Sequence, residues 1–108
     1  MVSIPGALTP SEIQLAHRSG ADFVKLFPIT NMGVDYVKAV KAPLSHISFL
    51  AVGGVNENNI ADYMKAGVCG FVIGSNIVSK KLISENNFEA ITESAKQYVS
   101  AVKRCQNA

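Results

Sequence analysis

Lys25 stands at the centre of the apolar run Phe23-Val24-Lys25-Leu26-Phe27. The run reads as a short strand buried on both faces, where an ammonium group without a partner is rare. Strand alternation puts Phe23, Lys25 and Phe27 on one face and Val24 and Leu26 on the other. An amine among such neighbours loses hydration, which disfavours its charged form and lowers its pKa. A neutral amine is a nucleophile that can condense with a ketone to a Schiff base. An edge-strand lysine, its stem packed and its head in water, accounts for the same residues without chemistry.

Two glycine pairs add to this. Gly53-Gly54 follows the apolar segment Ile47–Val52 and precedes Asn56, a good helix N-cap. Backbone N–H groups there can face an anion at a helix start. Gly74-Ser75 repeats the arrangement one unit later and adds a hydroxyl. In eight-stranded α/β barrels the phosphate site is commonly built after the last two strands, and these two loops follow the last two strands of this chain. Glycine also serves tight turns with no ligand in view, so each pair alone says little and the repetition says more.

The remaining polar candidates are weaker. His17 on a helix and His46 near a strand start have no second ligand at metal-binding spacing, which suits surface or capping roles. Glu12 is explained by a helix cap, and Asp22 lies at the N-terminal end of its strand, away from where α/β sites form. Glu85, Glu89 and Glu93 read as a solvated helix face. Asp35 and Glu57 fall in segments that can approach a catalytic mouth, yet helix-start stabilisation explains both. No convincing general acid or base remains.

The elements that would hold these residues alternate. Val2–Ile4 reads as a strand stub ended by Pro5 and Gly6. Thr9-Pro10-Ser11-Glu12 is a capping box with proline at the first helical position, and its helix stops at Gly20. The lysine strand stops at Pro28, and a helix over 34–41 follows with Val34, Val37 and Val40 inward. After Gly53-Gly54, Ile60, Tyr63, Met64 and Gly67 keep helical spacing. A strand over Phe71–Ile73 follows. Phe88, Ile91, Ala95, Tyr98, Val99 and Val102 form the stripe of a last helix. Four strands alternating with helices predict an α/β fold with a parallel sheet, either an open doubly wound sheet or half of an eight-stranded barrel.

Composition narrows the function. The chain has 108 residues, one domain's worth, with 48% apolar residues and a net charge of +2. That charge, with no basic–aromatic interleaving, gives nucleic-acid binding no support. No apolar run approaches the ~20 residues that span a bilayer, and no secretion signal opens the chain. Cys69 and Cys105, without a CxxC or a histidine at ligand spacing, are expected to be free thiols in a reducing cytoplasm.

The segments IPGALTPSEI, VKLFP, AVGGVNENNI and GFVIGSNIV, in this order and spacing, resemble the 2-keto-3-deoxy-6-phosphogluconate / 4-hydroxy-2-oxoglutarate aldolase family along nearly the whole chain. The resemblance implies a (β/α)8 barrel, of which this chain is the C-terminal half. It implies a class I aldolase that needs no metal or other cofactor and cleaves a phosphorylated 2-keto-3-deoxy sugar acid to pyruvate and glyceraldehyde 3-phosphate. By motif, Lys25 corresponds to the imine-forming lysine, and Gly53, Gly54, Gly74 and Ser75 fall on the phosphate-binding loops. Val52 and Pro28 fall at substrate-contacting positions. The family assembles as trimers, so self-association is implied.

Two departures matter. Where the family usually has Pro-Thr-Gly-Gly, this chain has Ala51-Val52-Gly53-Gly54, which resembles the 2-dehydro-3-deoxy-6-phosphogalactonate aldolase branch. Losing a hydroxyl that touches substrate can reshape discrimination between sugar epimers. The family's preceding half, with its glutamate base and carboxylate-holding arginine, has no counterpart here. The fragment alone is therefore expected to be inactive. A non-catalytic phosphate-binding half-barrel that assembles with another chain is the alternative. Another phosphate-binding barrel enzyme, such as an epimerase or thiamin phosphate synthase, is a third, and the lysine at mid-strand argues against it.

Overall fold

A computed structural model describes residues 1–106. Along the chain run β1 (Gly6–Ala7), α1 (Pro10–Arg18), β2 (Val24–Leu26), α2 (Gly33–Lys41), β3 (Phe49–Val52), α3 (Ile60–Lys65), β4 (Gly70–Val72), α4 (Lys80–Ser84) and α5 (Phe88–Gln106). The four strands form one parallel sheet in the order β1-β2-β3-β4. Consecutive neighbours without reversal are what half of a closed barrel has, whereas a doubly wound sheet changes direction along its strand order.

Local chemistry sets the boundaries. The Thr9 side chain accepts the Glu12 N–H while Glu12 accepts the Thr9 N–H at 3.0 Å, which closes the expected capping box, and Pro10 opens α1. Several expectations need correction. The first strand is Gly6–Ala7 and not Val2–Ile4. Residues 3–5 run beside β2 and meet its backbone through carbonyls: Ser3 O takes the N–H groups of Asp22 and Phe23, and Pro5 O that of Lys25. Proline, lacking a donor, is tolerated at such a strand start. Val2 and Ile4 are exposed.

Asn56 does not cap α3 directly. Its side chain accepts the N–H groups of Asn58 and Asn59 and so caps a turn, and the regular helix starts at Ile60. The last helix is preceded by α4, whose Ser79 cap binds the Leu82 N–H, an element that no apolar periodicity announced. On α5, Tyr98 and Ala101 are buried, whereas Phe88 and Val99 of the expected stripe are exposed.

The sheet has two unlike faces. Register pairs Val24 with Phe49, and Leu26 with Ala51 and Ala7. These residues are buried together with Ile13, Val37, Ile60 and Tyr63 of the helices. At ~25 cal/mol per Å² of apolar surface removed from water, this is where the stability of the fold lies. The other face carries Lys25 beside Leu50, with Gly70 next across the sheet. It is open, with Phe27 48% and Val72 45% exposed. The lysine strand is thus buried on one face only.

Candidate active site

Because all four strands run the same way, the loops that follow β2, β3 and β4 meet at one end of the sheet. They enclose a cleft of about 480 Å³. Phe27 and Thr30 line it from the first loop, Val52 to Val55 from the second, and Val72 to Asn76 from the third. This is the end at which parallel α/β sheets place their ligands.

Both glycines of the second loop are required by geometry. Gly53 and Gly54 have φ of 102° and 69°, in the region side chains avoid. A Cβ on Gly53 would lie 2.9 Å from Thr30 Oγ1, and one on Gly54 would lie 3.1 Å from Thr30 Cα. Gly74 is different. Its φ is not positive, and a Cβ there would meet nothing within 4 Å. Neither backbone strain nor packing asks for glycine at that position, so its value lies in the space left at the lip of the cleft.

The third loop turns back at once. Gly74 O accepts the N–H groups of Ile77 and Val78, both at 2.9 Å. The first N–H groups of such a turn, here those of Ser75 and Asn76, have no carbonyl within it to bind. Neither glycine pair lies directly against a regular helix, since α3 and α4 begin several residues later. Any anion here would therefore be held by loop N–H groups and the Ser75 hydroxyl, not by a helix end. No carboxylate lines the cleft.

Lys25 lies one layer below. It is half-buried, and its ammonium sits over the Phe27 ring at 4.7 Å from the centroid, a contact on the order of 0.5–1 kcal/mol where solvent reaches it. Phe27 thus lines the cleft together with the glycine loops and also carries the amine on its ring face. Val52, 7% exposed, presents an apolar surface to the cleft. Pro28 is exposed, follows a cis peptide bond and lies outside the cleft lining. Thr30, not singled out in the sequence, joins the site. Its position two residues past Pro28, in a loop at the C-terminal end of a strand, was the available signal.

The candidate bases are all elsewhere. Glu12 is held in its cap, where hydrogen bonds from Thr9, backbone first, keep its carboxyl below the ordinary 4.5. Asp35 faces Lys38, Asp62 and Lys65 between α2 and α3. Glu57 lies with Glu93, Lys96 and Arg104 of α5, away from the cleft, and its charge reaches the hydroxyl of Tyr98. Burial first, then the Glu57 charge and hydrogen bond, push that hydroxyl up, while a hydrogen bond from Asn76 opposes the shift. Asp22 accepts the Ser3 N–H at 2.8 Å. His17 and His46 pack edge to face, with ring centroids 5.1 Å apart. Among the described residues no group of three or more His, Cys, Asp or Glu could hold a metal. Both cysteines are free, and no helix is long and apolar enough to cross a membrane.

The KDPG and KHG aldolase family model matches residues 1–94. The 2-dehydro-3-deoxy-6-phosphogalactonate aldolase of Escherichia coli (strain K12) is 36% identical over 95% of this chain and 51% of its own. The 2-dehydro-3-deoxy-phosphogluconate aldolase of Haemophilus influenzae is 33% identical over 92% of this chain and 47% of its own. A solved structure titled "Native KDPGal structure" superposes on all of this chain with a TM-score of 0.91 at 33% identity, which uses 51% of that chain. The chain spans about half the length of the curated relatives it matches.

Proposed function

Because the chain belongs to the KDPG and KHG aldolase family, we propose that it supplies the imine-forming and phosphate-holding parts of a class I aldolase acting on a phosphorylated 2-keto-3-deoxy sugar acid. Lys25 Nζ adds to the substrate ketone carbon and water leaves, giving the imine. Loss of the C4 hydroxyl proton to a base and cleavage of the C3–C4 bond release glyceraldehyde 3-phosphate, and the electron pair flows to the imine to leave the pyruvate enamine. Protonation at the methyl carbon and hydrolysis then return pyruvate and the free amine. Gly53, Gly54, Gly74 and Ser75 hold the phosphate, and Val52 faces the sugar chain. Pro28, exposed beside Phe27 and outside the cleft lining, is the further position proposed to meet substrate.

The observation that carries this reading is Gly74. It is a glycine that the fold does not require, beside an acid-free cleft, at the strand end above a lysine on the open face. The apolar Val52 favours the galactonate epimer. With no carboxylate lining the cleft, the proton at the pyruvate methyl carbon needs a base from outside these residues. Such a base contributes ~10²–10⁴-fold. Gly74→Asp, which adds bulk and negative charge, should raise KM for the phosphorylated substrate steeply in an assembly that turns over, and affect an unphosphorylated analogue far less. Equal losses for both substrates would mean that the loops are only turns.

The same half-barrel geometry supports association. Apolar side chains on the open face and the unpaired edges of β1 and β4 favour burial against another sheet. In light scattering the 108-residue chain is expected to be heavier than a monomer, through contact with further copies of itself. A monodisperse monomer would refute this.

A further inference from the structure

The β3–β4 ladder ends at the pair Val52–Val72, and the two loops that would share a phosphate lie beyond it. What joins them there is a side chain. Asn76 Nδ2 donates to Val55 O at 2.7 Å, from the third loop to the second. Val55 is 2% exposed, so little water reaches it to replace that bond. Tyr98 of α5, 5% exposed, stands near Asn76, and that neighbour bears on the pKa of its hydroxyl. The second loop is braced internally as well: Asn59 Nδ2 donates to Gly54 O at 2.8 Å, and Asn59 Oδ1 accepts the Asn56 N–H at 2.8 Å.

We propose that Asn76 is a positioning residue. Its amide straps the loop after β4 to the loop after β3 and holds the N–H groups of Gly54 and Ser75 at the spacing one phosphate group needs. This rests on the phosphate-holding role proposed above. Preorganised donors bind an anion without first ordering themselves, and a loop freed from its strap loses that advantage.

The test pairs equilibrium dialysis of inorganic phosphate with amide hydrogen exchange on the 108-residue chain. Asn76→Ala should weaken phosphate binding about tenfold, the scale of one lost hydrogen bond to a buried carbonyl. It should also speed exchange at residues 53–56 without phosphate present. Asn76→Gln, which keeps the amide donor, should restore part of both effects.

If Asn76→Ala binds phosphate and exchanges like wild type, the strap is refuted. If it loses phosphate with exchange unchanged, Asn76 is a direct ligand and the positioning role is refuted. Wild type that fails to bind phosphate would overturn the phosphate role of the loops. The exchange arm would then still decide whether Asn76 straps them.

Discussion

Two lysines lie over phenylalanine rings in this molecule, and their surroundings differ. Lys41, at the end of α2, has its ammonium 5.0 Å from the centroid of Phe49 and donates to Ser45 O at 3.2 Å and Ile47 O at 2.5 Å. Its stem is packed so closely against Gly67 that a Cβ there would lie 2.9 Å from Lys41 Cγ. It joins a helix C-terminus to the strand that follows and keeps its hydrogens occupied. Lys25 has the same aromatic contact on the open face of the sheet, below the cleft. A bonded ammonium belongs to the scaffold. The amine beside a ring face on the open side of the sheet is the one for which the imine role is proposed.

The largest expected effect breaks this comparison on the side of Lys25. In an assembly containing the complete site, pyruvate and borohydride should fix a mass adduct on Lys25 that mass spectrometry locates. Lys25→Met should abolish both adduct and aldol cleavage, because methionine fills the space without an amine. Retained turnover in that variant would end the imine reading. Lys41→Met is the reverse case. It should leave labelling intact and lower unfolding stability by about 1–3 kcal/mol in denaturant melts, since two carbonyls lose a charged donor. A Lys41→Met chain as stable as wild type would show that those bonds contribute nothing net.

The smallest effect lies at the α1 cap. Hydrogen bonding in the folded chain lowers the Glu12 pKa. Its contribution is therefore fully present above the ordinary value of 4.5 and is lost as pH falls through the lower, folded value. Glu12→Gln should lower thermal stability slightly at neutral pH and converge with wild type in acid, flattening the acid limb of the profile. An unchanged acid limb would mean that the carboxylate's charge is irrelevant to the cap.

The sequence made some of this legible and not the rest, and the division follows the range of the interactions. The Thr9–Glu12 box is visible because capping is a matter of three residues. The βα order and the inward Val37 and Val40 are visible because periodicity is local. β1 was misplaced because its bounds depend on which residues reach Lys25 and Leu26 across the sheet, a register that Pro5 and Gly6 do not disclose. α4 is five residues long and carries no acidic first turn, so only its serine cap announces it. Phe88 and Val99 follow the helical stripe, yet the stripe reports which side chains are apolar and not whether anything covers them. In the site, Lys25 and the glycine loops stood out by residue type. Thr30 and Asn76 are ordinary polar loop residues whose importance comes from contacts across loops.

The strand order has a consequence for how the chain acquires its shape. Every strand pairs with its immediate successor along the sequence, and α5 packs on the two helices that precede it, α3 and α4. No pairing waits for a distant segment, so contact order is low for a parallel sheet and loop-closure entropy is met in small instalments. A nascent chain can add one strand and its covering helix at a time, each docking on a unit already in place, and the growing end always presents the next docking edge.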